Sequence, residues 1–182
     1  MVTLQRLGIT SCMNKIGFII GCLIGSMLGG VTALGSPIGY DEFIQVENAE
    51  EYLINRHIEV PYEVKYSCEV YGLKYGICPE ILEAIAWRES RFIPDVSNGS
   101  CKGLMQINEK AHRKRMEMLG VKDIYSIDGN IAVAADYLKT LMDMNGDLIK
   151  SLNEYNGRKT SKLTSYSKDI IEIASALDQG GE

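Results

Sequence analysis

From residue 61 to residue 177, apolar positions recur at intervals of three and four, and the chain reads as a succession of amphipathic helices. Pro61 suits a first helical position; Val64, Cys68, Tyr71 and Tyr75 then fall on one face until Gly76 interrupts. Pro79 restarts a helix on which Cys78, Leu82, Ile85, Ala86 and Glu89 share a face, and Pro94 closes the run. A loop rich in Gly, Ser and Asn occupies 97–103. Asn108 predicts the cap of a helix through Leu119, stopped by Gly120. Asp128 predicts the next cap, with Ile131, Ala134, Ala135, Leu138, Leu141 and Met142 as the inner face. Leu148, Ile149, Leu152 and Tyr155 mark a short helix, and Ser167 is expected to cap a last one bearing Ile170, Ile171, Ala174 and Leu177. No segment sustains period-two alternation, so a short ribbon near 92–107 is the most β structure the pattern allows. The expected fold class is mainly α.

Upstream the pattern changes character. Residues 16–40 carry no charge, whereas Arg6 and Lys15 precede them and Asp41 and Glu42 come directly after. The run exceeds the ~20 residues needed to cross hydrocarbon, and positive charge on its N-terminal side reads as N-terminus inside, remainder outside. Small residues around Val31, Ala33 and Gly35 also suit cleavage of a signal peptide, and Ile19-Ile20-Gly21-Cys22 resembles a lipobox. All three readings export the remainder of the chain: an acidic spacer over 36–59, whose residues 41–57 are weakly amphipathic and expected to be helical, a helical domain over 60–177 and a tail over 178–182. Partner and location are then expected together: the cytoplasmic membrane through residues 16–34, and an extracytoplasmic domain that is either anchored or secreted to the cell wall.

Composition narrows the function. Without residues 1–35 the net charge goes from -5 to -7, the opposite of the basic surface that nucleic-acid binding requires. His57 and His112 are the only histidines, which disfavours a metal site; no metal and no cofactor is expected. The exported part holds Cys68, Cys78 and Cys101, an odd number, so at least one thiol is unpaired within the chain and no disulfide framework is indicated. Cys68–Cys78 is the one local pairing worth considering.

One residue breaks the apolar logic. Glu89 lies on the apolar face near a helix C-terminus, where burial and the negative helix end both favour its protonated form. A carboxyl that stays protonated near neutral pH is what a general acid requires. The competing reading is a structural ion pair with Arg88, Arg91 or Lys102.

Trp87-Arg88-Glu89-Ser90-Arg91-Phe92, Ser97, Gly103-Leu104-Met105-Gln106-Ile107, Asn130-Ile131 with Tyr137-Leu138, and Glu154-Tyr155-Asn156-Gly157 occur in that order. Over about residues 60–175 this set resembles the soluble-lytic-transglycosylase (SLT) domain of the lysozyme-like superfamily. The resemblance implies a helical lysozyme-like fold and cleavage of the β-1,4 bond between N-acetylmuramic acid and N-acetylglucosamine in peptidoglycan glycan strands. Glu89 matches the family's single catalytic acid, which leaves 1,6-anhydromuramyl ends. Ser90, Ser97, Gly103, Met105 and Gln106 match substrate-binding positions. Tyr155 and Asn156 match a pair near the acid, where the phenol is expected to orient it. Small membrane-attached members of the family serve conjugation, secretion or phage machinery, which makes such an apparatus a candidate partner.

Two stretches depart from the family pattern. Ser100-Cys101 replaces a small Gly-Ala pair, and the segment after Ile107 reads Asn-Glu-Lys-Ala-His-Arg-Lys-Arg. Cys101 is read as a packing residue near the groove, and Lys110, Arg113, Lys114 and Arg115 as a solvated helix face. Ten tyrosines against one tryptophan suit a saccharide groove; Tyr155 is the best supported, with Tyr125 and Tyr137 as further candidates. Two other classes stay open. A hydrolytic muramidase of goose-lysozyme type would use a second carboxylate, for which Asp95 is nearest in sequence, and a noncatalytic wall-binding protein would have lost the acid.

Overall fold

Pro61, Pro79, Gly76, Gly120 and Gly146 set five of the helix boundaries in the computed structural model, which describes residues 43–180. The uncharged run at 16–40, with its anchor, signal-peptide and lipobox readings, lies outside the described residues. Among the described residues there are seven helices: α1 (Ala49–Asn55), α2 (Tyr62–Tyr75), α3 (Pro79–Ser90), α4 (Glu109–Leu119), α5 (Ile127–Asn145), α6 (Leu148–Tyr155) and α7 (Ser165–Gly180). No described helix is long and apolar enough to cross a membrane. Between α3 and α4 lies a small antiparallel sheet of two-residue strands, β1 (Ser97–Asn98), β2 (Cys101–Lys102) and β3 (Ile107–Asn108), in the order β1-β2-β3. Ser97 pairs with Lys102 and Cys101 with Asn108. The expected ribbon is therefore real but sits further along the chain, between 97 and 108.

The core forms around α3. The single apolar face expected of this helix is in fact burial nearly all round: Ile81, Leu82, Ala84, Ile85 and Ala86 have no exposed surface, and Trp87 is buried too. Packing of α2 and α7 against α3 accounts for this. α2 also lies on α5, whose Ile131, Ala135 and Leu138 are fully buried. Leu152 of α6 and Ile170 and Ile173 of α7 complete this core.

Two expected caps are corrected. Ser126, not Asp128, caps α5, its hydroxyl accepting from the Gly129 amide at 3.3 Å. Asp128 sits in the first turn and accepts instead from the Tyr71 phenol at 2.9 Å, a bond that ties α5 to α2 and helps push the phenol up to about 12, behind the larger effect of burial. At α7 the cap moves from Ser167 to Thr164. The Thr164 hydroxyl accepts from the Ser167 amide and the Ser167 hydroxyl from the Thr164 amide, a reciprocal box that starts the helix at Ser165.

The stretch read as a spacer is docked on the domain. Ile44 donates its amide to Ser175 and Val46 to Gln179, both on α7, and Arg56 just past α1 pairs with Asp169 of α7 at 2.8 Å. α7 itself continues beyond Leu177 to Gly180. The suggested Cys68–Cys78 bridge is not formed: both thiols are fully buried, and Cys78 donates to the Glu80 carboxylate at 2.8 Å.

Candidate active site

α3 delivers Glu89 at its last turn, one residue before the helix ends and two before Arg91, which takes the left-handed conformation that stops it. Glu89 is half-buried, and burial holds its carboxyl above the usual carboxylate range. Two groups oppose that shift without cancelling it: the Tyr166 phenol, which donates to Oε1 at 2.7 Å, and the charge of Arg88. Neither is a carboxylate. None of the ion pairs considered for Glu89 forms. Arg88 pairs with Asp169 at 2.9 Å, Lys102 pairs with Glu109, and Arg91 lies over the Trp87 ring, 3.4 Å from its centroid. Asp95 is exposed in the turn before β1.

The phenol on the acid is therefore Tyr166, not Tyr155. Tyr155 donates to the Met105 carbonyl at 2.9 Å, so its hydroxyl anchors the loop after β2. It nevertheless stays near the acid, since Glu89 is among the charges that push its phenol further up after burial has done most. Tyr166 escaped the sequence reading because a cap at Ser167 excluded it from the helix, whereas a cap at Thr164 places it in the first turn. A second unrecognised residue prepares this turn. The buried Asn153 amide donates to the carbonyls of Thr160 and Lys162 and accepts from the Thr164 hydroxyl, fixing the loop from α6 to α7.

The segment 103–107 is held by Asn130. Its buried carboxamide accepts from the Met105 amide at 2.6 Å and donates to the carbonyls of Ile124 at 2.7 Å and Lys102 at 3.1 Å. Gly103 lies against this amide at φ +77°, and a Cβ there would stand 2.3 Å from Asn130 Nδ2. The glycine is thus required twice, by conformation and by space. Gln106 also has a positive φ of 48° and donates its side-chain amide to the carbonyls of Gly103 and Val96. Met105 is fully buried, so its side chain packs in the core while its backbone serves Asn130 and Tyr155.

The remaining expected positions separate. Ser97 on β1 is exposed. Ser90 is buried, its hydroxyl turned onto the Ala86 carbonyl of its own helix at 3.1 Å. Asn156 closes α6 and is exposed. Tyr125 is partly buried beneath the Lys102 ammonium, and the Tyr137 ring lies tilted against Tyr155, 5.5 Å between centroids. Of the basic run, Lys110, Arg113 and Lys114 are exposed, while Arg115 is engaged with Asp136. Among the described residues, no three His, Cys, Asp or Glu side chains are grouped to hold a metal ion.

Residues 67–170, more than half of the chain, match a family model described as the transglycosylase SLT domain. No curated protein matches the chain.

Proposed function

The chain belongs to the transglycosylase SLT domain family, which indicates glycan cleavage of the lytic-transglycosylase type with peptidoglycan as substrate, and on that footing we propose that Glu89 is the reaction's single acid and base. In the first step the protonated carboxyl donates to the glycosidic oxygen as the bond from C1 of N-acetylmuramic acid breaks. The resulting carboxylate then takes the proton of the muramyl C6 hydroxyl, whose oxygen closes onto C1 and leaves a 1,6-anhydro end. Each proton given is recovered, so neither water nor a second protein carboxylate is needed.

One observation carries this reading. Glu89 is a half-buried carboxyl kept above the usual carboxylate range, and the groups that bear on its proton are a phenol and a guanidinium. Hydrolysis with two carboxylates needs a partner about 5–9.5 Å away, and Asp95 is exposed in a turn with no contact that aims it. Gly103, Gln106, Ser97, Tyr155 and Asn156 are assigned to holding the strand, Gly103 and Gln106 through the loop that Asn130 braces. Ser90 and Met105 are assigned to supporting Glu89 and that loop from within. Mass spectrometry of muropeptides released from purified walls is the test: anhydromuramyl ends are expected, and reducing ends alone would turn the assignment to a hydrolase.

Location belongs to the same proposal. Arg6 and Lys15 before the uncharged run, with acids after it, favour residues 36–182 on the outer side of the cytoplasmic membrane, where the substrate is. A reporter fused after Glu182 should work outside, and one active only in the cytoplasm would contradict this.

A further inference from the structure

A line of rings leads away from Glu89. Tyr166 donates to the acid, and after burial the charges of Glu89 and Tyr155 push its phenol up. Glu89 and Tyr137 do the same to Tyr155. The Tyr137 ring lies beside Tyr155 at 5.5 Å and 34°, and the His112 ring beside Tyr137 at 4.4 Å and 56°. Tyr155 ends α6, Tyr137 is on α5 and His112 on α4, so three helices contribute to one row. Tyr137 and His112 are half-buried.

Arg115 braces the far end of the row. Arg115 lies over Tyr137, 5.2 Å from the ring centroid, and donates to Asp136 from Nε, to Thr140 from Nη2 at 3.0 Å and to His112 Nδ1 from Nη1 at 2.8 Å. An imidazole nitrogen that accepts carries no proton, so the neutral ring keeps its proton on Nε2. Burial, and secondarily the Arg115 charge, lower the His112 pKa and keep the ring neutral at pH 7. Asp136 compensates the guanidinium, so the half-buried rings of His112 and Tyr137 offer apolar surface and polar edges without an available charge. That chemistry suits a neutral pyranose, whose C–H face packs on rings while its hydroxyls reach polar edges. An anion would find its countercharge already taken.

We propose that His112 and Tyr137, braced by Arg115, form a distal saccharide subsite for a further sugar of the strand that Glu89 cleaves; this rests on the function proposed above. His112 and Arg115 belong to the stretch after Ile107 where the chain leaves the family's pattern, so the subsite would give this protein its own preference for strand length.

The test uses the full chain carrying Glu89→Gln and, as probes, β-1,4-linked N-acetylglucosamine oligomers of three and six units, with calorimetry as the readout. The hexamer is expected to bind more tightly than the trimer. His112→Ala and Tyr137→Leu should each weaken hexamer binding by about three- to tenfold, the range of one aromatic contact, and leave the trimer unaffected. His112→Phe should retain most of the hexamer affinity, because it keeps a ring in the row. In the chain with Glu89 intact, His112→Ala should raise KM on long strands while kcat holds. Unchanged hexamer affinity in His112→Ala, with unfolding at the wild-type temperature, overturns the subsite and leaves the proposed function standing. If Tyr137→Leu does not fold, the contrast between His112→Ala and His112→Phe decides alone. Absence of binding at either length contradicts the glycan reading itself and the subsite with it.

Discussion

Opposed influences meet at Glu89. Burial favours its protonated form, Tyr166 and Arg88 favour the charged one, and burial prevails. Removing the phenol in Tyr166→Phe takes away one of the lowering influences, so the Glu89 pKa should rise further. The alkaline limb of the rate–pH profile should then move to higher pH, while the maximal rate falls because the carboxyl is no longer oriented. Rate–pH profiles of the two proteins decide this, and a limb that stays put or moves down would contradict it. The same shift has a sign for stability. A carboxyl whose folded pKa lies above its unfolded value stabilises the fold most at low pH, and that contribution is lost as pH rises through the folded pKa. Cys101 is a half-buried free thiol on β2, and its one influence on the site is a minor addition to those that raise the Tyr155 phenol. Cys101→Ala should therefore keep most of the glycan-cleaving activity in a wall-clearing assay, and complete loss in a folded protein would assign the thiol a role. Glu89 was legible as a candidate because a charged residue on an apolar face is anomalous. Tyr166 was not, since its role depends on a helix start that two nearby hydroxyl residues, Thr164 and Ser167, left ambiguous.

At the scale of elements, the loop 103–107 is where local sequence and tertiary structure depend on each other most. Asn130 on α5 satisfies three backbone groups of two different segments, and Gly103 gives it room. Asn130→Ala leaves a buried N–H and two carbonyls without their partner and should lower unfolding free energy by about 2–4 kcal/mol. Gly103→Ala meets both a positive φ and a 2.3 Å approach, so it should cost at least as much and should also reduce activity. Urea unfolding measures both, and a Gly103→Ala protein as stable as the wild type would contradict this role for the loop. Helix existence and most helix ends were legible from Pro, Gly and apolar spacing, because these act within a turn or two. The caps of α5 and α7 were not, because Ser126 and Thr164 compete with Asp128 and Ser167 over a distance of two or three residues. Nor could spacing tell that α3 is surrounded, since the neighbours that bury it come from α2 and α7.

The whole molecule is closed by contacts that no local pattern announces. Asp169 on α7 pairs with both Arg56 and Arg88, joining the segment after α1 to α3 through the last helix. Because both arginines keep about a third of their side-chain surface in solvent, Asp169→Ala should cost only about 1 kcal/mol. Thermal unfolding should show a small loss with activity largely kept, and loss of the fold would mean that the bridge carries far more than its exposure suggests. The docking of residues 43–58 on α7 was equally hidden, since an acidic and weakly amphipathic stretch reads as a spacer until its partners Ser175, Gln179 and Asp169 are known. In the proposed function these packing relations present one carboxyl, and Glu89→Gln removes its proton while keeping its shape. General acid catalysis contributes about 10²–10⁴-fold, so clearing of a peptidoglycan suspension by Glu89→Gln should fall to near background. Because the variant cannot ionise, it should also be at least as stable as the wild type above the Glu89 pKa. A folded Glu89→Gln protein that clears the suspension at the wild-type rate would contradict the assignment of Glu89 as the acid.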